Sequence, residues 1–450
     1  MTHVLSTRAQ RLDRLRFGRE HSRLLIGSGV GWALDAMDVG LISYVMTALS
    51  VEWQLDNAEL GMIGSVGFVG MMVGASAGGL AADRIGRRAV FALTLLVYGL
   101  ATGLAAFSTG VTMLLVLRGV VGLGLGAELP VAATLVSEYA PSRIRGRVVV
   151  WLESFWALGW ILAAALGYFL VPKTAGGWSG WRWALLVGVV PAFYAAVVRH
   201  GLPESVRFLE SKGRQRQAEL AVRRFERGSG VEPSYDLDVA VAETPTSVED
   251  SNGSVRTTSL LGPEHRRSTV GLWLVWFFVN LSYYGAFTWM PTLLLRQGHD
   301  LVRSFGYTLV ITVAQLPGYA VAAWLIEVWG RRATLACFLT GSGVSALFFG
   351  MQDSTTGIIA FGCLLSFFNL GAWGALYAIG PEIYPTALRG AGTGAASVVG
   401  RVAAIVAPLL VPVLLVGGNP LVFAVFAVSF LIAAVSALLL PERRHLEMIE

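Results

Sequence analysis

The feature that most constrains this chain is a succession of twelve apolar runs bounded by charged or turn-forming residues. They lie at 24–49, 60–82, 89–109, 111–137, 148–171, 182–200, 270–295, 304–327, 333–351, 356–380, 390–416 and 419–440. About 20 apolar residues carry a helix across the hydrocarbon core of a bilayer. No water reaches the backbone there, so only helices and closed barrels can span it. A barrel would alternate apolar and polar residues over about ten positions, whereas these runs are continuous. The sequence therefore predicts an all-α membrane protein with twelve spans. Composition agrees: 14% of the residues are charged and 55% hydrophobic, against about 25% charged in soluble domains. A surface with so little charge faces lipid, which excludes a disordered chain, a disulfide scaffold or a typical cytosolic enzyme.

Basic residues set the orientation. Segments 1–23, 83–88, 138–147, 199–269, 328–332, 381–389 and 441–450 hold 28 of the 34 Lys and Arg residues. The opposite segments hold Lys173, Arg182, Arg296 and Arg303. The positive-inside rule puts both termini and the long central segment in the cytoplasm of a plasma (inner) membrane. Five units follow: a basic N-terminal segment (1–23), a six-helix bundle (24–200), a cytoplasmic loop (201–269), a second six-helix bundle (270–440) and a tail (441–450). The N-terminal segment has no signal-peptide core, and its six arginines suggest a short basic helix on the anionic leaflet. The loop should begin as helix and become disordered across the acidic, Ser/Thr-rich stretch 236–258. The basic charge is explained by membrane orientation, with no nucleic-acid partner. Cys337 and Cys363 lie within apolar runs and are expected to be packed.

The chain also repeats itself. Gly79-Leu-Ala-Ala-Asp83-Arg-Ile-Gly-Arg87-Arg88 recurs as Ala323-Trp-Leu-Ile-Glu327-Val-Trp-Gly-Arg331-Arg332. Glu138-Tyr-Ala-Pro-Ser-Arg-Ile-Arg145-Gly146 recurs as Glu382-Ile-Tyr-Pro-Thr-Ala-Leu-Arg389-Gly390. Both repeats share one offset, 244 residues. Parallel six-helix halves flanking a midplane site are one of the repeat architectures of secondary transporters. These motifs resemble those of the major facilitator superfamily, and Pro203-Glu-Ser-Val-Arg207-Phe-Leu-Glu210 resembles the segment after span 6 in its sugar-porter and organic-ion branches. The resemblance covers residues 24–441 and implies two bundles rocking about a central cavity. The short loops are expected to bring Asp83 near Arg145 and Glu327 near Arg389. With Arg87, Glu138, Arg331 and Glu382 these form a candidate cytoplasmic gate.

Six ionisable residues fall at membrane depth: Asp35, Asp38, Arg118, Glu128, Glu153 and Arg401. Each costs roughly 2.5–3.5 kcal/mol at a helix centre, so they must pair, face a wet cavity or function. Asp35 and Asp38 share one face of span 1, and two carboxylates this close favour retention of a proton. No histidine lies at depth. Asp35, Asp38 and Glu153 are therefore the candidate proton-coupling residues, with protons as a partner. Permanent pairing of one aspartate with Arg118 remains open at this point.

The second half is aromatic. Span 7 carries Asn280, Tyr283 and Tyr284, span 8 Gln315, span 10 Asn369, Trp373 and Tyr377, and span 11 Arg401, while span 5 adds Trp156. Aromatic planes, amides and an arginine, either Arg118 or Arg401, suit a small flat aromatic anion. No nucleophile–base pair, nucleotide loop or metal-spaced cluster is present, so no enzyme, cofactor or metal is expected, and nothing demands more than a monomer.

Asp35-Ala-Met-Asp38-Val-Gly and Trp151-Leu-Glu153-Ser-Phe-Trp156-Ala-Leu-Gly-Trp160 resemble the bacterial niacin transporters, a group similar to the synaptic vesicle glycoprotein 2 and organic-ion branches. The Asp-x-x-Asp of span 1 also resembles the aromatic acid:proton symporters. The resemblance implies an importer of nicotinate or a similar small aromatic carboxylate, with proton symport. Carriers of another aromatic acid or organic ion are the alternatives. A sugar porter fits less well, because span 7 lacks that family's glutamine-rich signature, and a non-transporting receptor fits least.

Overall fold

The computed structural model describes residues 6–232, 237–238, 241, 260–384 and 386–442, with the backbone alone at 129, 381, 382, 386, 387, 389 and 390. The stretch expected to be disordered, 236–258, lies almost wholly outside the described residues. Spans 1 to 5 are the helices Arg19–Glu52, Asn57–Ile85, Arg87–Ala105, Val111–Tyr139 and Arg145–Phe169. Span 6 comprises Gly180–Val187 and Val190–Gly201. Spans 7 and 9 to 12 are Arg266–Arg296, Arg331–Gly350, Thr355–Ile383, Thr386–Leu414 and Gly418–Ala437, and span 8 comprises Leu301–Val313 and Gln315–Trp329. Most of these helices run a few residues past the apolar runs, because a helix need not stop where lipid does. The two broken spans have a common cause. Pro191 and Pro317 lack the amide hydrogen that the carbonyls of Val187 and Val313 would receive.

Each half packs as a bundle. Span 1 lies on span 5, span 2 on span 4, and span 3 on spans 4 and 6; span 7 lies on spans 11 and 12, and span 9 on spans 10 and 12. Spans 2 and 4 touch backbone to backbone: a Cβ on Gly122 would lie 2.0 Å from the Gly67 carbonyl oxygen, and one on Gly74 would lie 2.1 Å from that of Leu123. Small residues permit this approach where lipid supplies no hydrophobic drive for helix association. Spans 1, 2 and 5 face spans 7, 11 and 8 across the molecule.

Hydrogen bonds close one end of that interface, where span 1 ends and span 2 begins. Thr47 and Thr292 share one of 2.8 Å, Ser65 donates to the Ile405 carbonyl at 2.7 Å, and Arg296 bonds Asn57. At the opposite rim Arg147 and Glu327 lie 3.8 Å apart across the halves, both side chains more than half exposed. An exposed pair of this kind contributes about 0–1 kcal/mol. The end held by Thr47 and Thr292 is the better closed.

The N-terminal arginines depart from expectation. They do form a helix, Arg8–Asp13, with Thr7 as a capping-box residue, but it docks on protein rather than on lipid headgroups. Arg8 is fully buried and donates to Glu210 at 3.0 Å and Glu219 at 3.1 Å; Arg11 donates to Glu219 at 2.9 Å and Glu226 at 2.8 Å. Glu219 and Glu226 project from one face of the helix Gln215–Gly228. Two buried carboxylates need cations, and these arginines supply them. Burial alone would push the Glu219 carboxyl up, but hydrogen bonds from Arg11 and Arg223, with Arg8 beside it, hold it below the usual carboxylate range.

Two glycines close the loops after spans 2 and 8 in the same way. Gly86 and Gly330, 244 positions apart, have φ of 101° and 92°, a region costly for other residues. Glu204 sits where a Cβ on Gly86 would be and accepts from the amide of Arg88 at 3.0 Å. Glu442 sits against Gly330 and lies 3.8 Å from Arg332. Each glutamate follows a proline directly after the last span of its bundle.

Candidate functional site

Between the halves lies a cavity of about 60 Å³, several times the roughly 10–15 Å³ that one water requires. Span 7 lines it with Trp276, Asn280, Tyr283 and Tyr284, span 8 with Tyr319, span 10 with Trp373 and Tyr377, and span 11 with Ser397, Arg401 and Ala404. The first half supplies Trp32, Phe68, Met71, Glu153 and Trp156.

The aromatic rings form a connected wall. Trp373 stacks on Tyr377 with centroids 5.7 Å apart and planes at 28°; Trp276 meets both edge-on at 5.7 and 5.4 Å. Tyr283 meets Trp373 at 5.8 Å, and Tyr284 meets Phe68 of the opposite half at 4.5 Å. Rings this close attract through their quadrupoles beyond the area they bury, so the wall is stiff. Arg401 reaches the cavity from span 11, and among the described residues no carboxylate lies within ion-pair distance of it. Glu153 enters from span 5, is 4% exposed, and likewise has no cation within that distance. The cavity therefore holds one acid and one base that do not satisfy each other.

Eight residues anticipated from the sequence line this cavity: Glu153, Trp156, Asn280, Tyr283, Tyr284, Trp373, Tyr377 and Arg401. Others are elsewhere. Arg118, expected as a substrate contact, donates to Asp38 at 2.8 Å, with the two side chains 4% and 1% exposed. Asp38 also accepts from Thr102 at 2.5 Å. The guanidinium is spent inside the first bundle and does not reach the cavity wall. Asp35 turns away from that pair toward Tyr98 and Glu128. Gln315 and Asn369 are fully buried amides behind the wall, and their polar atoms lack hydrogen-bond partners among the described residues.

The rim differs too. Arg87 and Glu138 form an ion pair of 2.6 Å, and Glu138 also accepts from Ser205 at 2.5 Å. Asp83 is exposed, and Arg145 is held by Asp13 of the N-terminal helix instead. The physical reason is competition: the docked N-terminal segment delivers a carboxylate to Arg145. Glu327 faces Arg147. The side chains of Glu382 and Arg389 lie outside the described residues, so the expected Glu327–Arg389 pairing does too. Arg331 begins span 9 beside Gly330.

Seven lining residues went unanticipated, and spacing signalled several of them. Trp276 lies four residues before Asn280, Tyr319 four after Gln315, and Trp32 three before Asp35, in each case one helical turn along a stripe already singled out.

Residues 24–450 match the family model described as "Sugar (and other) transporter". The chain is 46% identical to the niacin transporter NiaP of Acinetobacter baylyi, over 98% of both chains. A relative in Bacillus subtilis that bears a niacin/nicotinamide transporter name is 43% identical, over 93% of this chain and 95% of that one. Among solved structures, the inward-open xylose transporter XylE of E. coli superposes with a TM-score of 0.76 at 19% identity, covering 94% of this chain and 97% of that chain.

Proposed function

The chain belongs to the sugar (and other) transporter family of the major facilitator superfamily, and from that premise we propose that it imports nicotinate, or a similar small aromatic carboxylate, together with a proton. It is a multi-pass membrane transporter, not an enzyme. The observation that carries the choice of substrate is the pairing of a stacked aromatic wall with the unclaimed guanidinium of Arg401 in one cavity. A flat ring slides against Trp373, Tyr284 and Trp276, while a carboxylate takes two parallel bonds from the guanidinium. The names of the two bacterial relatives support the same class. A sugar needs many hydrogen-bonding partners, and Asn280 is the one side-chain amide in the lining.

Nicotinate is an anion at neutral pH. Carrying one negative charge into a negative interior costs about 2.3 kcal/mol per 100 mV, and a co-transported proton cancels that charge. Glu153 in the cavity and Asp35 behind it are the proton carriers in this reading. Asp38 and Arg118 form the fixed pair beside them. The rim pair Arg87–Glu138 and the cross-bundle pair Arg147–Glu327 belong to the cytoplasmic gate, which loosens and tightens as the halves rock. The arginine asymmetry supports residence in the plasma membrane with both ends in the cytoplasm.

The test is uptake of labelled nicotinate into proteoliposomes with and without an inward proton gradient. Saturable uptake that the gradient accelerates, and that unlabelled nicotinate but not xylose competes away, is the expected result. Competition by xylose with no response to nicotinate would refute the reading.

A further inference from the structure

Four ionisable side chains are sealed inside the first bundle behind the cavity wall: Asp35, Asp38, Arg118 and Glu128, each 3% exposed or less. Three are acids and one is a base. The base is committed to Asp38, whose other oxygen is taken by Thr102. That leaves Asp35 and Glu128 with no cation in a medium where a bare carboxylate is costly.

The surroundings bring these two acids together and give them little else. Gly31 stands one turn before Asp35; a Cβ there would lie 2.9 Å from Glu128 Oε1 and 2.7 Å from the Phe91 ring. The missing side chain is the space Glu128 enters. Across that space the two carboxyl groups act on each other, and neither oxygen of Asp35 nor Oε1 of Glu128 has a hydrogen-bond partner among the described residues. Thr94 approaches Glu128 at 3.4 Å, but its hydroxyl already donates to the Phe91 carbonyl at 2.8 Å. The groups facing the pair are Asp38 on span 1, the fully buried Tyr98 hydroxyl on span 3, Arg118 on span 4 and Tyr194 on span 6, whose hydroxyl donates to the Gly27 carbonyl at 2.8 Å. None of them is a cation free to neutralise the pair.

We infer that Asp35 and Glu128 together form a proton-binding site, one carboxyl O–H donating to the other carboxylate, and that Glu128 is its second essential member. Binding converts two acceptors that cannot satisfy each other into a donor–acceptor pair, and it removes one of two buried negative charges. Release leaves two facing carboxylates that repel. Trp32, one turn before Asp35 on span 1, lines the cavity, so separation of the pair is felt at the substrate wall. Asp38 stands apart from the shared proton because its two oxygens are engaged by Arg118 and Thr102.

This inference rests on the proton-coupled reading above only where it concerns transport; the site can be tested without substrate. The full chain in lipid is titrated by infrared spectroscopy, following the carbonyl stretch of protonated carboxyl groups. Wild type should show a protonated-carboxyl signal that both Asp35→Asn and Glu128→Gln remove, while Glu128→Asp retains it at a shifted frequency. The same signal persisting unchanged in both neutral variants would overturn the site. In proteoliposomes, Glu128→Gln should lose gradient-driven accumulation of nicotinate while keeping exchange at equal pH, which also reports that the variant is folded. Full gradient-driven accumulation in Glu128→Gln would count equally against the inference. Failure of nicotinate exchange in wild type would sink the choice of substrate and leave the infrared result to decide the proton site.

Discussion

Thr47 and Thr292 share a buried hydrogen bond of 2.8 Å although they lie 245 residues apart, one more than the offset at which the chain repeats itself. A residue that meets its near-counterpart lies close to the axis relating the two halves. Closure of the outer face therefore hangs on the pseudo-symmetry itself. Thr47→Val removes that bond while keeping its shape. A hydrogen bond contributes about 0.5–1.5 kcal/mol net, so the outward-open population should rise roughly 2- to 10-fold. Labelling a cysteine placed at Ser397, in a chain freed of Cys337 and Cys363, from the outer side measures it; an unchanged rate would show that Ser65 and Asn57 suffice.

Removing one member of the Asp38–Arg118 pair should be far worse than removing both. Arg118→Ala strands a buried carboxylate, at a cost of about 3–5 kcal/mol. Arg118→Leu combined with Asp38→Leu should recover most of that loss. Thermal unfolding in lipid nanodiscs compares them, and equal melting temperatures for the single and double variants would mean that the pair is hydrated.

Trp373→Ala should weaken substrate binding by about tenfold or more, since it removes the ring on which Tyr377 stacks and against which Trp276 and Tyr283 pack. Arg401→Gln should raise the half-saturating concentration for nicotinate more than for nicotinamide, which carries no charge. Saturation uptake with both compounds reads this out, and equal losses would assign Arg401 to packing.

The N-terminal helix should undock in acid. The Glu219 carboxyl is held below its ordinary range when folded, so its contribution is fully present above that range and is lost as pH falls through it. Limited proteolysis after residue 6 should therefore be slow at pH 7 and accelerate below about pH 4. Glu219→Gln should be cleaved quickly at both values.

Gly86→Ala and Gly79→Ala, seven positions apart on the same motif, should behave oppositely. At Gly86 the backbone has φ of 101° and Glu204 occupies the Cβ position, whereas Gly79 has open space around it. A loss of at least 1–2 kcal/mol is expected for the first and little change for the second, judged by melting temperature.

Much of the fold was legible because lipid imposes it. Run length gave the spans, and the shared 244-residue offset the two halves. The aromatic wall was legible for a related reason: helical spacing puts Trp373 and Tyr377 on one stripe wherever the helix is turned. What spacing cannot give is rotation about the helix axis relative to neighbours. Asp35 and Asp38 both count as deep carboxylates, but which one Arg118 takes, and that Glu128 falls to the other, depends on how spans 1, 3 and 4 are turned. Span 8 shows a second limit. Gln315 and Tyr319 lie one turn apart on the same helix, yet Tyr319 lines the cavity and Gln315 does not. The destination of Arg8 was hidden because its partners lie more than 200 residues away in a segment that reads as a loop.

That separation also sets an order of events at the ribosome. Arg8 and Arg11 emerge first, yet Glu219 and Glu226 are made only after all six spans of the first half have been synthesised. In the orientation proposed above, the two arginines until then keep their positive charge on the cytoplasmic side, available to hold the nascent N-terminus there while each hairpin inserts. Once the acids arrive, the same charges are neutralised and the start of the half is tied to its end. The segment thus serves first as an orienting signal and afterwards as a staple, and the staple closes only on a half that has already been completed.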